Sequence, residues 1–254
     1  MLAPEFFHLP SVISLMDAAQ LASYAPAPEG ISVLTADFQT SGRGQRGTHW
    51  ESEACSNLLM ALRFAPVWCD AAEQFALSEA VAVAVHEAVT QSVCDTDAVC
   101  AEDFSLKWPN DLYWRDKKLG GLLLQHRLSG RQVERTIAGL GLNVNQTVFR
   151  SDAPNPVSLS TITGHSLCLS SLKHAIVRRV CARLQAVADG GSAALHADYC
   201  ARLYRREGLH RFHDVARGVD ITAALHEVSP TGRLVLALTD GTLRSYYFKE
   251  VVWL

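Results

Sequence analysis

Five consecutive residues, Lys107-Trp-Pro-Asn-Asp111, gather an amine, a carboxamide and a carboxylate around a proline turn, and a second amine, Lys118, follows seven positions after the aspartate. If the segments on either side of the turn fold back as a hairpin, Lys107 and Lys118 come close to each other. They then form a cationic pair for a polyphosphate, beside a carboxylate able to hold Mg2+. A turn carrying two solvated lysines fits the same spacing. Upstream, Gln39-Thr-Ser-Gly42-Arg43-Gly44-Gln45-Arg46-Gly47 sets three glycines among two arginines. Glycines let the backbone approach a ligand, and guanidinium groups meet an anion bidentately, so the chemistry is that of a phosphate or carboxylate loop. The spacing is neither that of a Walker loop nor that of a dinucleotide fingerprint. A plain surface loop has the same composition. Asn143 and Asn145 follow a glycine-rich run and either aim amides at a base or cap a turn.

These residues need elements to position them. Ser14-Leu-Met-Asp17 opens a first helix with a capping residue, and Pro26 bounds it. Ile31–Phe38 is rich in β-formers and runs directly into the glycine loop, and Asn57–Phe64 is a second strand. A helix begins at Asp70-x-x-Glu73 and carries Leu77, Val81, Val85 and Ala88 on one stripe, so the pattern to that point is α-β-β-α. Ser105–Trp108, Lys118–Gln125 and Thr136–Asn143 are three apolar runs separated by turn residues, adjacent strands of one mixed or antiparallel sheet. A later helix from Ser170 or Ser171 places Leu172, Ile176, Val180, Leu184 and Val187 on the face that covers the sheet, and ends at Gly190-Gly191. From about Val219 the chain reads as short strands, Val219–Ile221, Leu234–Leu238 and Leu243–Phe248, a small β-barrel.

The 254 residues are 48% hydrophobic, enough to bury a core, and 19% charged with a net charge of −3, which disfavours nucleic-acid binding through a basic surface. The first residues lack the basic flank and apolar run of a signal peptide. The most apolar stretch, Ala80–Val85, falls far short of the about 18 residues a membrane span needs. Seven scattered cysteines form no C-x-x-C pair and read as reduced thiols, so the expected location is cytoplasmic and away from membranes.

Taken in order, Gly42-Arg-Gly-Gln-Arg-Gly47 with Trp50, Lys107-Trp-Pro-Asn-Asp111, Lys118-Leu-Gly-Gly121 and Gly139-Leu-Gly-Leu-Asn-Val-Asn145 resemble the signature segments of the biotin protein ligases. Gly241 and Phe248-Lys-Glu-Val251 resemble that family's C-terminal SH3-like module, so the likeness runs from about residue 8 to the end. The resemblance implies an α+β fold. A ligase domain of α/β type, residues 1–210, has a mixed sheet flanked by helices, and residues 211–254 form a small SH3-like β-barrel. With no helix-turn-helix before residue 8, it implies a ligase without a repressor function, and no nucleic acid among its partners.

The implied activity is a two-step acyl transfer. Biotin's carboxylate attacks the α-phosphate of ATP, with Mg2+, to give biotinyl-5′-AMP and pyrophosphate. A lysine of the biotin carboxyl carrier domain of a biotin-dependent carboxylase then attacks the mixed anhydride. By similarity Lys118 holds the biotin carboxylate and α-phosphate, Arg43 and Lys107 orient the phosphates, and Asp111 and Asn110 lie near the metal and the incoming amine. Biotin is met by Ser14, Gln39, Arg43, Gly44, Gln45, Lys118 and Gly121, with Gln39 at the ureido ring. The nucleotide is met by Arg43, Arg46, Trp50, Lys107, Asn110, Lys118 and Asn143, with Trp50 closing over the adenylate. Asp111 is the one metal ligand. A homodimer through an exposed sheet edge is compatible with this reading.

Two positions depart from the family pattern. Leu15 and Met16 stand where the segment after Ser14 usually carries a hydroxyl and an amide, and Gln45 stands where a second arginine is common. Either weaker biotin affinity or a leakier adenylate than in a typical member is the expectation from these changes. The rivals are a lipoate or octanoate ligase or transferase of the related fold, with a pocket that needs no ureido partner, and a biotin-binding relative without turnover.

Overall fold

The computed structural model describes residues 2–45, 48–94, 99–150 and 155–254. A seven-stranded sheet is built from β1 (Ala3–Val12), β2 (Gly30–Gln39), β3 (Leu58–Phe64), β4 (Phe104–Lys107), β5 (Asp111–Trp114), β6 (Lys117–Ser129) and β7 (Gln132–Leu142). Its order is β1-β2-β3-β7-β6-β5-β4. β1 runs parallel to β2 and every other pair is antiparallel, so the sheet is mixed, as expected. The N-terminal strand β1 is a correction to the α-β-β-α expectation. Its residues are mostly exposed, and an edge strand without a buried face carries no alternating signal.

The alternation of β2 and β3 divides the core. Ile31 and Val33 with Leu58, Met60 and Leu62 face the helices α2 (Phe75–Val93) and α4 (Leu169–Ala188), in one cluster with the helical valines and leucines. Leu34, Ala36, Leu59 and Ala61 join a second cluster with Leu15, Met16 and Ala18 of α1 (Leu15–Ala18) and with Ile137 of β7. The stripe read from the sequence of α4, Leu172, Ile176, Val180, Leu184 and Val187, is buried throughout. Asp70 accepts a hydrogen bond from the Ala72 amide at 2.9 Å and caps the turn that leads into α2. Two further helices, α3 (Leu159–Thr163) and α5 (Ser192–Ala201), carry weak periodicity and went unread. None of the described helices is long and apolar enough to cross a membrane.

The C-terminal strands β8 (His210–Asp214), β9 (Val219–Val228), β10 (Leu234–Leu238), β11 (Leu243–Tyr246) and β12 (Val251–Trp253) form an antiparallel sheet of order β11-β10-β9-β8-β12. Among the described residues no ladder joins β11 to β12, so the sheet is open where a closed barrel was expected. β12 is three residues long and pairs only with β8. This sheet packs against the larger one and its helices at several points. The buried Trp108 indole donates to the Gly232 carbonyl at 3.0 Å, and Gly232, at φ +82°, lies against the ring of Phe75 at the start of α2.

A Cβ at Gly232 would meet both an unfavourable φ and the Phe75 ring 2.5 Å away. Gly232→Ala is therefore expected to destabilise the protein by about 2–4 kcal/mol, read from urea unfolding of the full chain.

Candidate functional site

The hairpin foreseen around Pro109 exists: β4 and β5 pair with Lys107 opposite Asp111. Lys107 lies near enough to Lys118 and Asp111 to feel both charges, but it is Lys118 and Asp111 that bond to each other. β5 meets β6 with Asp111 opposite Gly121 and Leu112 opposite Gly120. The register then shifts, so that Tyr113 faces Lys118 and Leu119 is the extra residue. A bulge of this kind turns side chains that strict alternation would separate onto one side. Lys118 Nζ thus reaches Asp111 Oδ2 at 2.7 Å, the two side chains 28% and 25% exposed. Gly121 makes room for the pair: a Cβ there would lie 3.1 Å from Asp111 Oδ1 and 3.6 Å from Lys118 Nζ. The Lys118 backbone is clamped from outside the sheet, its amide donating to the Asn155 carbonyl and its carbonyl accepting from the Val157 amide, both at 3.0 Å. Asn110 braces the turn, its side-chain amide donating to the Leu122 carbonyl while the Leu122 amide donates to the Asn110 carbonyl.

Lys107 points elsewhere. Its amine donates to the Tyr113 hydroxyl at 3.1 Å and sits over the rings of Tyr113, Tyr204 and Trp253. Burial lowers its pKa, and Asp111 partly opposes that shift. Burial likewise raises the Tyr113 hydroxyl, keeping it protonated, and pushes Tyr204 up to about 12.

The Lys118–Asp111 pair lies in the wall of a cavity of about 600 Å3. Of the residues singled out in the sequence, Gln39, Arg43, Gly44, Gln45, Trp50, Asn110, Asp111, Lys118, Gly121 and Asn143 line it. Ser14 and Lys107 do not. Ser14 is wholly buried at the N-cap of α1, and its hydroxyl has no partner. Leu15 and Met16, just after it, reach the cavity instead. Gln39 is tied to the same helix, its Oε1 accepting from the Leu15 amide at 2.7 Å, which leaves its NH2 group for a ligand. Asn143 is buried and donates to the Val157 carbonyl at 3.2 Å, while Asn145 exchanges two bonds with the Leu167 backbone and caps rather than lines.

In the glycine loop the expected conformational need is real but internal. The Gly44 amide donates to the Thr48 carbonyl at 2.7 Å and the Trp50 amide to the Gly42 carbonyl at 3.0 Å, and a Cβ at either glycine would collide with those partners. Arg43 is held by Asp17 of α1 at 2.7 Å. Arg46 lies outside the described residues. Trp50 is half-buried and packs flat against Gly141 of β7, where any side chain would run into the indole, and its ring N–H is buried without a partner.

Several lining residues were missed. Tyr113 sits two places after Asp111, on the same face of a strand the sequence reading did not contain. Leu123 lies in an apolar strand, and Gly139 and Leu140 belong to a segment noted only for its resemblance, and none of the three was given a role in the site. Phe248 and Lys249 come from the far C-terminal sheet, and only the resemblance had drawn attention to them. Among the described residues no cluster of three or more acidic, cysteine or histidine side chains forms a metal site. Asp111 still has one carboxylate oxygen not bonded to Lys118. That donor set fits a Mg2+ ion that brings most of its ligands on a nucleotide.

Arranged this way, the cavity has an apolar end at Leu15, Met16 and Leu123 and a polar wall with two fixed cations, which suits an acyl chain carrying a carboxylate beside a phosphate. Comparison with known proteins agrees. The profile of the biotin/lipoate A/B protein ligase family matches residues 14–143. A biotin–[acetyl-CoA-carboxylase] ligase of Paracoccus denitrificans is 30% identical over 234 residues, covering 87% of this chain and 94% of that one. A ligase of the same name from Mycobacterium tuberculosis is 28% identical over 211 residues, 83% of this chain and 75% of its own. A solved biotin protein ligase from Aquifex aeolicus, in complex with biotin and ATP, superposes with a TM-score of 0.77 over 97% of both chains at 22% identity, a likeness of fold.

Gly141→Ala is expected to drive the Trp50 indole off β7. The measurement is intrinsic fluorescence: a red shift that is absent when Trp50 is first replaced by Phe, with a stability loss of about 1–3 kcal/mol.

Proposed function

The chain belongs to the biotin/lipoate A/B protein ligase family, and we infer that it is a biotin protein ligase, activating biotin with ATP and passing it to a lysine of a biotin carboxyl carrier domain. The observation that carries the reading is the Lys118–Asp111 pair beside an apolar pocket end and the arginine loop. An ammonium has three donors. Asp111 takes one, and two remain for a biotin carboxylate oxygen and an α-phosphate oxygen, the two anions that must meet. Bringing them together against their repulsion and stabilising the charge that grows on phosphorus is work for fixed cations, and it needs no covalent intermediate on the protein.

In this reading Arg43 orients the phosphates once it leaves Asp17 for them. The Gln39 NH2 group meets the ureido oxygen, Gly44 and Gln45 close the loop over the acyl chain, and Gly121 keeps the floor clear. Trp50 and Asn143 flank the adenylate. Lys107 acts from behind Tyr113 rather than by touching a phosphate, its amine adding positive potential near Asp111. Ser14 acts through the placement of Leu15 and Met16. Mg2+, held by the free oxygen of Asp111 with Asn110 nearby, would neutralise phosphate charge. Residues 1–210 carry most of this chemistry, and 211–254 form an accessory module that adds Phe248 and Lys249 to the cavity wall. The free edge of β1 is the surface for a homodimer: the outer edge of β4 is already bridged by Leu203. Leu15 and Met16 give the acyl end an apolar character that also suits lipoate, so the two acids are the comparison to make.

The expected outcome is pyrophosphate release from ATP and Mg2+ that depends on biotin and not on lipoate, lowered about 10²–10³-fold in Lys118→Ala. Release with lipoate alone would move the assignment to the sister activity. Gln45→Arg is expected to slow escape of the adenylate from the full chain, measured by filtering the protein away from labelled biotinyl-AMP. A rate equal to that of the parent would count against a leaky loop.

A further inference from the structure

One part of the cavity wall comes from outside the main sheet. The turn between β11 and β12 brings Phe248 and Lys249 to the lining. The ring of Phe248 stands edge-on to Trp108, centroids 6.3 Å apart, so this turn lies beside the one that carries Asn110 and Asp111. Lys249 has φ +69°, the left-handed region that a side chain with a Cβ disfavours. Of the six described non-glycine residues with a φ of that sign, it alone lines the cavity. Sparsely populated backbone conformations persist where the surroundings enforce them. Here the Tyr247 amide donates to the Glu250 carboxylate at 2.7 Å, the Glu250 amide to the Tyr247 carbonyl at 3.0 Å, and the Val215 amide to the Glu250 carbonyl at 2.9 Å.

The charges separate Lys249 from the other cations. Among the described residues three lysine or arginine side chains line the cavity, Arg43, Lys118 and Lys249. Arg43 is neutralised by Asp17 and Lys118 by Asp111, each at 2.7 Å, whereas no described carboxylate forms an ion pair with Lys249. An exposed, unneutralised ammonium held on a pinned turn next to the Asn110–Asp111 end of the site is complementary to the part of the substrate with the most charge.

We propose that Lys249 is a nucleotide-binding residue for the β- and γ-phosphates of ATP and for the pyrophosphate formed from them, supplied to the site by the C-terminal sheet. The proposal rests on the adenylation reading for its substrate but not for its test. Lys249→Gly removes the charge and relieves the left-handed backbone, so the variant should melt no lower than the parent. Lys249→Arg keeps the charge. Titrating the full chain with Mg2+ and inorganic pyrophosphate in a calorimeter requires no turnover. Lys249→Gly is expected to weaken pyrophosphate binding about tenfold and flatten its salt dependence, with Lys249→Arg close to the parent and biotin binding unchanged. The KM for ATP should rise by a similar factor. Unchanged pyrophosphate binding in Lys249→Gly would overturn the proposal. So would a rise confined to the KM for the carrier domain, which would make Lys249 a docking contact. A protein that binds pyrophosphate through Lys249 yet releases none from ATP and biotin would keep this proposal and lose the adenylation reading.

Discussion

A lysine and an aspartate three-quarters withdrawn from water and 2.7 Å apart are the constraint around which the rest of the site is arranged. Half-buried opposite charges hold each other in place, and removing one leaves the other desolvated without compensation. Each local irregularity nearby serves their meeting. The bulge at Leu119 turns Lys118 toward Asp111, Gly121 supplies the space between them, the strap at Asn155–Val157 clamps the lysine backbone, and Asn110 ties the turn to β6. In the proposed reaction the pair keeps the ammonium aimed while leaving two of its donors open.

The walls around that pair come from distant parts of the chain. α1 contributes Leu15 and Met16 and, through Asp17, restrains Arg43. β7 contributes Gly139 and Gly141, whose missing side chains admit Met16 and Trp50. The C-terminal sheet is joined by the Trp108–Gly232 hydrogen bond and delivers Phe248 and Lys249. Trp108 follows Lys107 directly, so the segment bearing the site chemistry also anchors the second sheet.

Much of this was legible in the sequence. Strands and helices with one buried face, such as β2, β3 and α4, announced themselves by periodicity, and Asp111, Lys118, Gln39 and the loop were read as site residues that line one cavity. What escaped has physical reasons. β1 is ten residues long but an exposed edge without a buried face, and β12 has only three residues, so neither leaves a pattern. Asp111 was expected beside the two lysines, but not as the direct partner of Lys118, because a bulge shifts side-chain facing by one residue, which alternation cannot foresee. Ser14 was expected at the ligand, yet the hydroxyl points into the core and its two apolar neighbours line the pocket. Lys249 was noticed only within the segment that resembles the C-terminal module and was given no role, because only tertiary packing carries it to the site.

The central claim is that Lys118 and Asp111 act as one unit in joining biotin to ATP. The most direct measurement is a double-mutant cycle on the rate of biotin-dependent adenylation, comparing Lys118→Ala, Asp111→Ala and the double variant with the parent. Groups that act together are strongly non-additive. The double variant should be little slower than the worse single variant. Losses that multiply across the two sites would mean that the lysine and the aspartate contribute independently, and the account built on their pairing would be wrong.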